Sequence, residues 1–184
     1  PALRQLVHHY VDLYAQTMID GYDQKGARFR YLFSRLRETA CAIVENIADE
    51  MAVSDFRPIA FELGFGGKDG QLPAITVTEG STALSVRGKV DRVDGWIKDG
   101  KLYLRVVDYK TGQKAFDLSD VRYGLGIQML LYLFALQKEG SGYFGMPVVP
   151  AGVLYTPARE IISREDRNIP PEKLEAVLRR KLRR

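Results

Sequence analysis

The chain has 184 residues, the size of one domain or of one domain with helical extensions. Its composition, 46% hydrophobic and 27% charged, excludes disorder, collagen-like repeats and coiled coil, and no apolar run approaches the roughly 18 residues of a membrane span. A net charge of +4 permits a polyanionic partner without demanding one. The lone cysteine, Cys41, excludes an intramolecular disulfide and a multi-cysteine zinc site, and favours a reducing, cytoplasmic setting. Histidine occurs only as the adjacent His8 and His9, which leaves little for histidine-based metal or triad chemistry. The chain opens on Pro1 without a secretory leader pattern. It closes in a helical pattern without a stop signal, so it is expected to be a piece of a larger protein.

In chain order, Leu3, Leu6, Val7, Tyr10, Leu13, Tyr14 and Met18 fall at helical spacing. Gly21 and Gly26 bracket a break. A second helix follows, with Phe29, Leu32, Phe33, Leu36, Ala40, Ile43, Ile47 and Met51 on one stripe and Cys41 beside it as a small packing residue. Past Pro58 the period changes. Residues 59–65 predict a strand ended by the glycine-rich 66–70, and 74–77 a short strand. Leu84, Val86, Gly88 and Val90 alternate with Ser85, Arg87, Lys89 and Asp91, which predicts one strand with a buried face. Residues 98–101 predict a turn that folds this region back, as a hairpin, into a strand over 102–109. Ser119 or Asp120 is placed to cap a long helix from 121 to about 137. A strand over 148–155 follows, and Pro170-Pro171 opens a last helix. The order implies an α/β domain with a central mixed sheet flanked by helices. An N-terminal helical segment, 1–55, would precede a core of 56–184.

The chemistry concentrates where two strands meet. In a strand, residues two apart share a face, so Asp108 and Lys110 point the same way just before Gly112 releases the chain. The hairpin brings Asp91 alongside; whether it faces the same side depends on register. Two carboxylates and a lysine suit a hard cation such as Mg²⁺, which takes one or two carboxylates and keeps water positions open for a phosphate. An ammonium beside it can position water or offset charge. The alternative is an ordinary ion pair between Asp108 and Lys110 on an exposed strand. On the following helix Gln128 and Tyr132, four apart, share a face; a Gln in so apolar a helix needs a partner if buried. Arg87, Lys89, Arg92, Lys114 and Arg122 are candidate phosphate contacts. The basic run of Arg179, Arg180, Lys181, Arg183 and Arg184 reads as the solvated end of a helix.

Three motifs occur in order: Gly-x-x-Asp-Arg-x-Asp at 88–94, Val-x-Asp-Tyr-Lys-Thr-Gly at 106–112, and a helix with Gln-x-x-x-Tyr-x-x-Ala-Leu at 128–136. Together they resemble the RecB-like branch of the PD-(D/E)xK nuclease superfamily. Segments 58–66, 118–126 and 150–155 extend the resemblance to the C-terminal nuclease domains of AddAB-type helicase–nucleases, over roughly residues 56–156. The resemblance implies a restriction-endonuclease-like fold and a Mg²⁺-dependent (or Mn²⁺-dependent) deoxyribonuclease. Its substrate would be a single DNA strand delivered from an unwound duplex end, its partner a helicase–nuclease subunit, its place the bacterial cytoplasm and its role the processing of double-strand breaks for recombination. By the same resemblance Asp91 and Asp108 are the metal-binding acids, the Tyr109 backbone carbonyl an extra ligand, Lys110 the catalytic lysine, and Gln128 and Tyr132 the helix motif along the groove. Glu62 corresponds to an acidic residue before the core strands, with a solvated strand residue as the alternative. Two departures stand out. The second helix has no metal-binding histidine, and with Cys41 alone the family's iron–sulfur cluster cannot be held. The competing function is a catalytically inactive DNA-binding or scaffold module on the same fold.

Overall fold

The computed structural model describes residues 2–22, 25–66, 70–112, 118–124, 126–158 and 169–182. Its contacts divide the chain into two units: Ser54–Thr156, and Pro1–Val53 with Pro157–Arg184.

The helical unit begins with α1 (Ala2–Ile19) and α2 (Ala27–Ala52), joined by a short connection. Arg4 near the start of α1 bonds Glu45 and Glu38, and Arg37 lies 3.7 Å from Asp12, so the two helices run antiparallel. The stripe expected to be core is only partly so. Val7, Ala15, Phe33 and Cys41 are buried, whereas Leu6, Tyr10, Leu13, Tyr14, Met18, Leu32 and Leu36 are exposed. Helix α5 (Pro171–Leu182) opens at Pro171 as expected.

The sheet unit carries β1 (Arg57–Phe65), β2 (Ile75–Glu79), β3 (Thr82–Val86), β4 (Gly88–Lys98), β5 (Lys101–Lys110), α3 (Leu118–Arg122), α4 (Gln128–Phe144) and β6 (Val148–Pro157). The central sheet has the order β1-β4-β5-β6, and β2 pairs with β3 in a separate ribbon. β1 and β5 are antiparallel to β4. The Leu102 N–H donates to the Pro147 carbonyl at 2.9 Å, start against start, so β6 runs parallel to β5. Helix α4 supplies the crossover that a parallel pair requires. This is the central mixed sheet expected from the order of elements. Leu104, Val106, Val90, Val93, Leu63 and Phe65 form its core with Met129, Leu133 and Leu136 of α4.

Two expectations change. The strand expected through 84–90 is two strands that part at Arg87: β3 belongs to the outlying ribbon and its Leu84 is exposed, while β4 enters the central sheet. The helix expected from 121 to 137 is also two. Gly124 and Gly126 adopt φ of 77° and 64°, a conformation that ends a helix, and α4 restarts at Gln128. The 98–101 turn forms as expected. Asp99 and Gly100 both have positive φ (49° and 71°), as a two-residue type I′ hairpin requires.

Candidate active site

The hairpin sets the register. The β4–β5 ladder runs from Lys98↔Lys101 to Arg92↔Val107. It ends there, one residue short of Asp91 on β4 and of Asp108 on β5. Here the contact changes character: the Tyr109 backbone N–H donates to Asp91 Oδ2 at 2.9 Å, so a side chain takes the place of a ladder carbonyl. The alternation of β4 also shifts, because Val90 and Val93, three apart, are both fully buried in the core. Asp108 continues the face of Leu104 and Val106 and is 8% exposed. Lys110 Nζ lies 2.6 Å from Asp108 Oδ2, a buried oxygen that accepts no well-aligned hydrogen bond. The close contact with Asp108 raises the Lys110 pKa against the opposing effect of burial, and the charges of Asp108 and Asp91 add to it. Asp91, Asp108 and Lys110 therefore act on one another at the end of β5.

Tyr155 was not expected in this neighbourhood. It lies on β6, next to β5, and packs against the same core face. Burial pushes its hydroxyl pKa up, the charge of Asp108 adds to this, and that of Lys110 opposes it. The signal was present in the 148–155 strand: Val153 and Tyr155, two apart, share a face.

Behind Asp108 the sheet carries a second polar group. Tyr109 points to the opposite face, where its hydroxyl accepts a 2.8 Å bond from Arg92 Nη1. Arg92 grips Asp94 with Nε at 2.8 Å and Nη2 at 3.0 Å, and Arg105, opposite Asp94 in the ladder, bonds the same carboxylate at 2.8 Å. Arg92 and Asp94 are 1% and 0% exposed. The expectation that Arg92 contacts phosphate is thus corrected: a guanidinium buried in this way serves its carboxylate and Tyr109.

On α4, Gln128 Nε2 donates to the Tyr132 hydroxyl at 2.6 Å. Tyr132 is buried, edge-on to Phe65 at 4.9 Å, and packed onto Gly88. A Cβ on Gly88 would lie 2.8 Å from both Cε1 and the hydroxyl of Tyr132. The glycine that opens the first motif is therefore the floor on which Tyr132 rests. Gln128 itself is exposed, at the first turn of α4 rather than within a longer helix. Its partner is the ring one turn on.

Glu62 lies on β1 between Phe61 and Leu63, which pair with Arg92 and Val90, so its backbone is beside Asp91. It has φ of 51°, its side chain is 66% exposed, and its carboxylate pairs with Lys89 at 3.1 Å. That pair also occupies Lys89. Arg87 and Arg122 are exposed; Lys114, Arg183 and Arg184 lie outside the described residues.

A cation implied by such a site must fit the donors present. Among the described residues no cluster of three or more His, Cys, Asp or Glu side chains exists. Two carboxylates, one with a buried oxygen lacking an aligned hydrogen bond, fit Mg²⁺, which binds few protein ligands and retains water. A cluster of iron and sulfur does not fit a chain with one cysteine.

A mixed sheet with Asp, then Asp-x-Lys on neighbouring strands, and a Gln–Tyr pair on the crossover helix defines a nuclease fold. The family profile of the PD-(D/E)XK nuclease superfamily matches residues 2–184, and the chain belongs to that superfamily. Among curated proteins it is similar to the B-type subunit of ATP-dependent helicase/deoxyribonuclease. The identity is 36% with that of Caldanaerobacter subterraneus subsp. tengcongensis (94% of this chain, 15% of the relative). It is 38% with that of Acetivibrio thermocellus (85% and 14%), and 32% with that of Ruminiclostridium cellulolyticum (97% and 15%). The chain thus spans about 15% of the length of the curated relatives it matches.

Proposed function

We propose that this chain is the deoxyribonuclease domain of an ATP-dependent helicase–nuclease, acting with Mg²⁺ (or Mn²⁺) on a single DNA strand drawn from an unwound duplex end. In this reading it is part of a longer cytoplasmic subunit that works with a helicase–nuclease partner, trims strands as an exonuclease and prepares double-strand breaks for recombinational repair. The observation that carries the reading is the Lys110–Asp108 pair at the end of β5, beside the Tyr109 amide that bonds Asp91.

Asp91, Asp108 and the backbone carbonyl of Tyr109 would hold the cation. When bound, a divalent cation lowers the pKa of water and offsets charge on the phosphate. Lys110, kept protonated by its carboxylate neighbours, directs its ammonium to the attacking water or to the phosphate oxygens as charge builds there. Gln128 would lie along the strand's path, its amide available to DNA because it is exposed, with the buried Tyr132 hydroxyl holding that amide from beneath. The test is Lys110→Ala in the assembled helicase–nuclease. Cleavage of the relevant strand in Mg²⁺ should fall roughly hundredfold, about 3 kcal/mol of transition-state stabilisation, with unwinding retained. Undiminished cleavage would overturn the assignment and favour the non-catalytic scaffold.

A further inference from the structure

Beyond Arg92↔Val107 the end of β5 is no longer held by the β4 ladder. Yet this end carries Asp108 and Lys110. Two side chains of β4 reach it instead, both to Tyr109: Asp91 takes the backbone N–H at 2.9 Å, and Arg92 donates to the hydroxyl at 2.8 Å. Arg92 is in turn locked by a buried carboxylate that Arg105 also grips. A carboxylate with no exposed surface, hydrogen-bonded by Arg92 Nη2 and Arg105 Nε, resists rearrangement, since a departure leaves a buried charge unpaired. The guanidinium so held donates to the Tyr109 hydroxyl from that side.

We propose that Arg92 and Asp94 are positioning residues of the nuclease site, acting from the opposite face of the sheet through the Tyr109 hydroxyl to fix the β5 end that bears Asp108 and Lys110. The inference rests on the nuclease reading above. It gives the last Asp and the Arg of the 88–94 motif a role distinct from metal ligation or DNA contact. Partners one step removed from a metal ligand typically change affinity or activity by about 10–100-fold when lost.

The sparing variant is Tyr109→Phe, which keeps the ring, the backbone carbonyl and the buried ion pairs while deleting the hydroxyl. Tyr103→Phe, which removes a hydroxyl from the same face of β5 outside the network, is the control. Mn²⁺ affinity is measured by calorimetry on this chain, and kcat and KM for strand cleavage on the assembled helicase–nuclease, with Lys110→Ala alongside. Tyr109→Phe should weaken Mn²⁺ binding roughly tenfold and lower kcat by a similar factor, with KM for DNA unchanged and Tyr103→Phe behaving as wild type. Arg92→Lys should reproduce the effect, because an ammonium cannot grip Asp94 with two nitrogens and Tyr109 with a third. Wild-type Mn²⁺ affinity in Tyr109→Phe would overturn the positioning role whatever the activity. A rise in KM alone would do the same, by making Tyr109 a DNA contact. Full cleavage by Lys110→Ala would overturn instead the nuclease reading beneath it.

Discussion

Gly88→Ala tests how closely the helix motif is fitted to the sheet. The added methyl would meet Tyr132 Cε1 and its hydroxyl at 2.8 Å and Phe65 Cζ at 3.0 Å, so the Tyr132 ring has to shift. Phe65 and Tyr132 are both buried, at 0% and 7% exposure, which leaves little room to yield. Overpacking of this kind costs about 1–3 kcal/mol. The reduced freedom of the unfolded chain returns about 0.4–1 kcal/mol. A net loss of about 1–2 kcal/mol follows, or a Tm lower by roughly 3–6 °C for a domain of this size. The displaced ring also loses the 2.6 Å bond from Gln128, so cleavage should fall more than the Tm shift alone accounts for. Thermal unfolding of Gly88→Ala, Tyr132→Leu and the double variant checks the cause. If the clash is the mechanism, the methyl costs less once the ring is gone, with a coupling of at least about 0.5 kcal/mol. A Gly88→Ala variant as stable as the wild type, or strictly additive effects, would refute the argument.

Asp108→Asn should weaken Mn²⁺ binding at least roughly tenfold by calorimetry while changing the stability of the metal-free chain by no more than about 1 kcal/mol, because the Lys110 partner is part-exposed. Gln128→Ala removes a bond at an exposed position and should cost about 1 kcal/mol or less in urea denaturation, while slowing cleavage if the amide meets DNA. Burial pushes the Cys41 thiol pKa above its ordinary 9.0. The folded state therefore holds this proton more tightly than the unfolded one, and the associated stability is present below that value and is lost as pH climbs through the alkaline range. Urea midpoints of the wild type and Cys41→Ala measured from pH 7 to 10 should converge as pH rises, and native Cys41 should react with a thiol reagent only as the chain unfolds.

Much of this architecture was legible because local rules and tertiary structure agree. The Asp-Gly pair at 99–100 needs positive φ twice and could only be a tight hairpin, and that hairpin delivered Asp91 to the strand of Asp108. Where the sequence misled, two structures shared one pattern. The alternation through 84–90 continues across Arg87 because β3 and β4 happen to keep phase. A glycine within an apolar run is compatible with a helix until its φ turns positive, as at Gly124 and Gly126. Arg92, close to the motifs, read as a phosphate contact; the signal for its true partner was Asp94 two residues on, the same spacing that paired Asp108 with Lys110. The side of the sheet taken by Asp91 needed the register, and its bond to a backbone amide is not visible in any pattern. The apolar stripe of α1 has helical spacing, yet spacing does not say what covers it, and Tyr10 and Tyr14 remain exposed.

The Tyr109 amide is bonded to a carboxylate oxygen of Asp91 rather than to a strand carbonyl. A cation held by that carboxylate, as proposed, would withdraw electron density from the very oxygen that accepts the amide hydrogen bond. The amide resonance of a single residue in a backbone NMR spectrum would thereby report loading, one hydrogen bond from a proposed ligand and needing no label on the metal. Its hydrogen-exchange rate reads the same event on a slower clock, as the end of β5 opens and closes. The site carries its own spectroscopic probe.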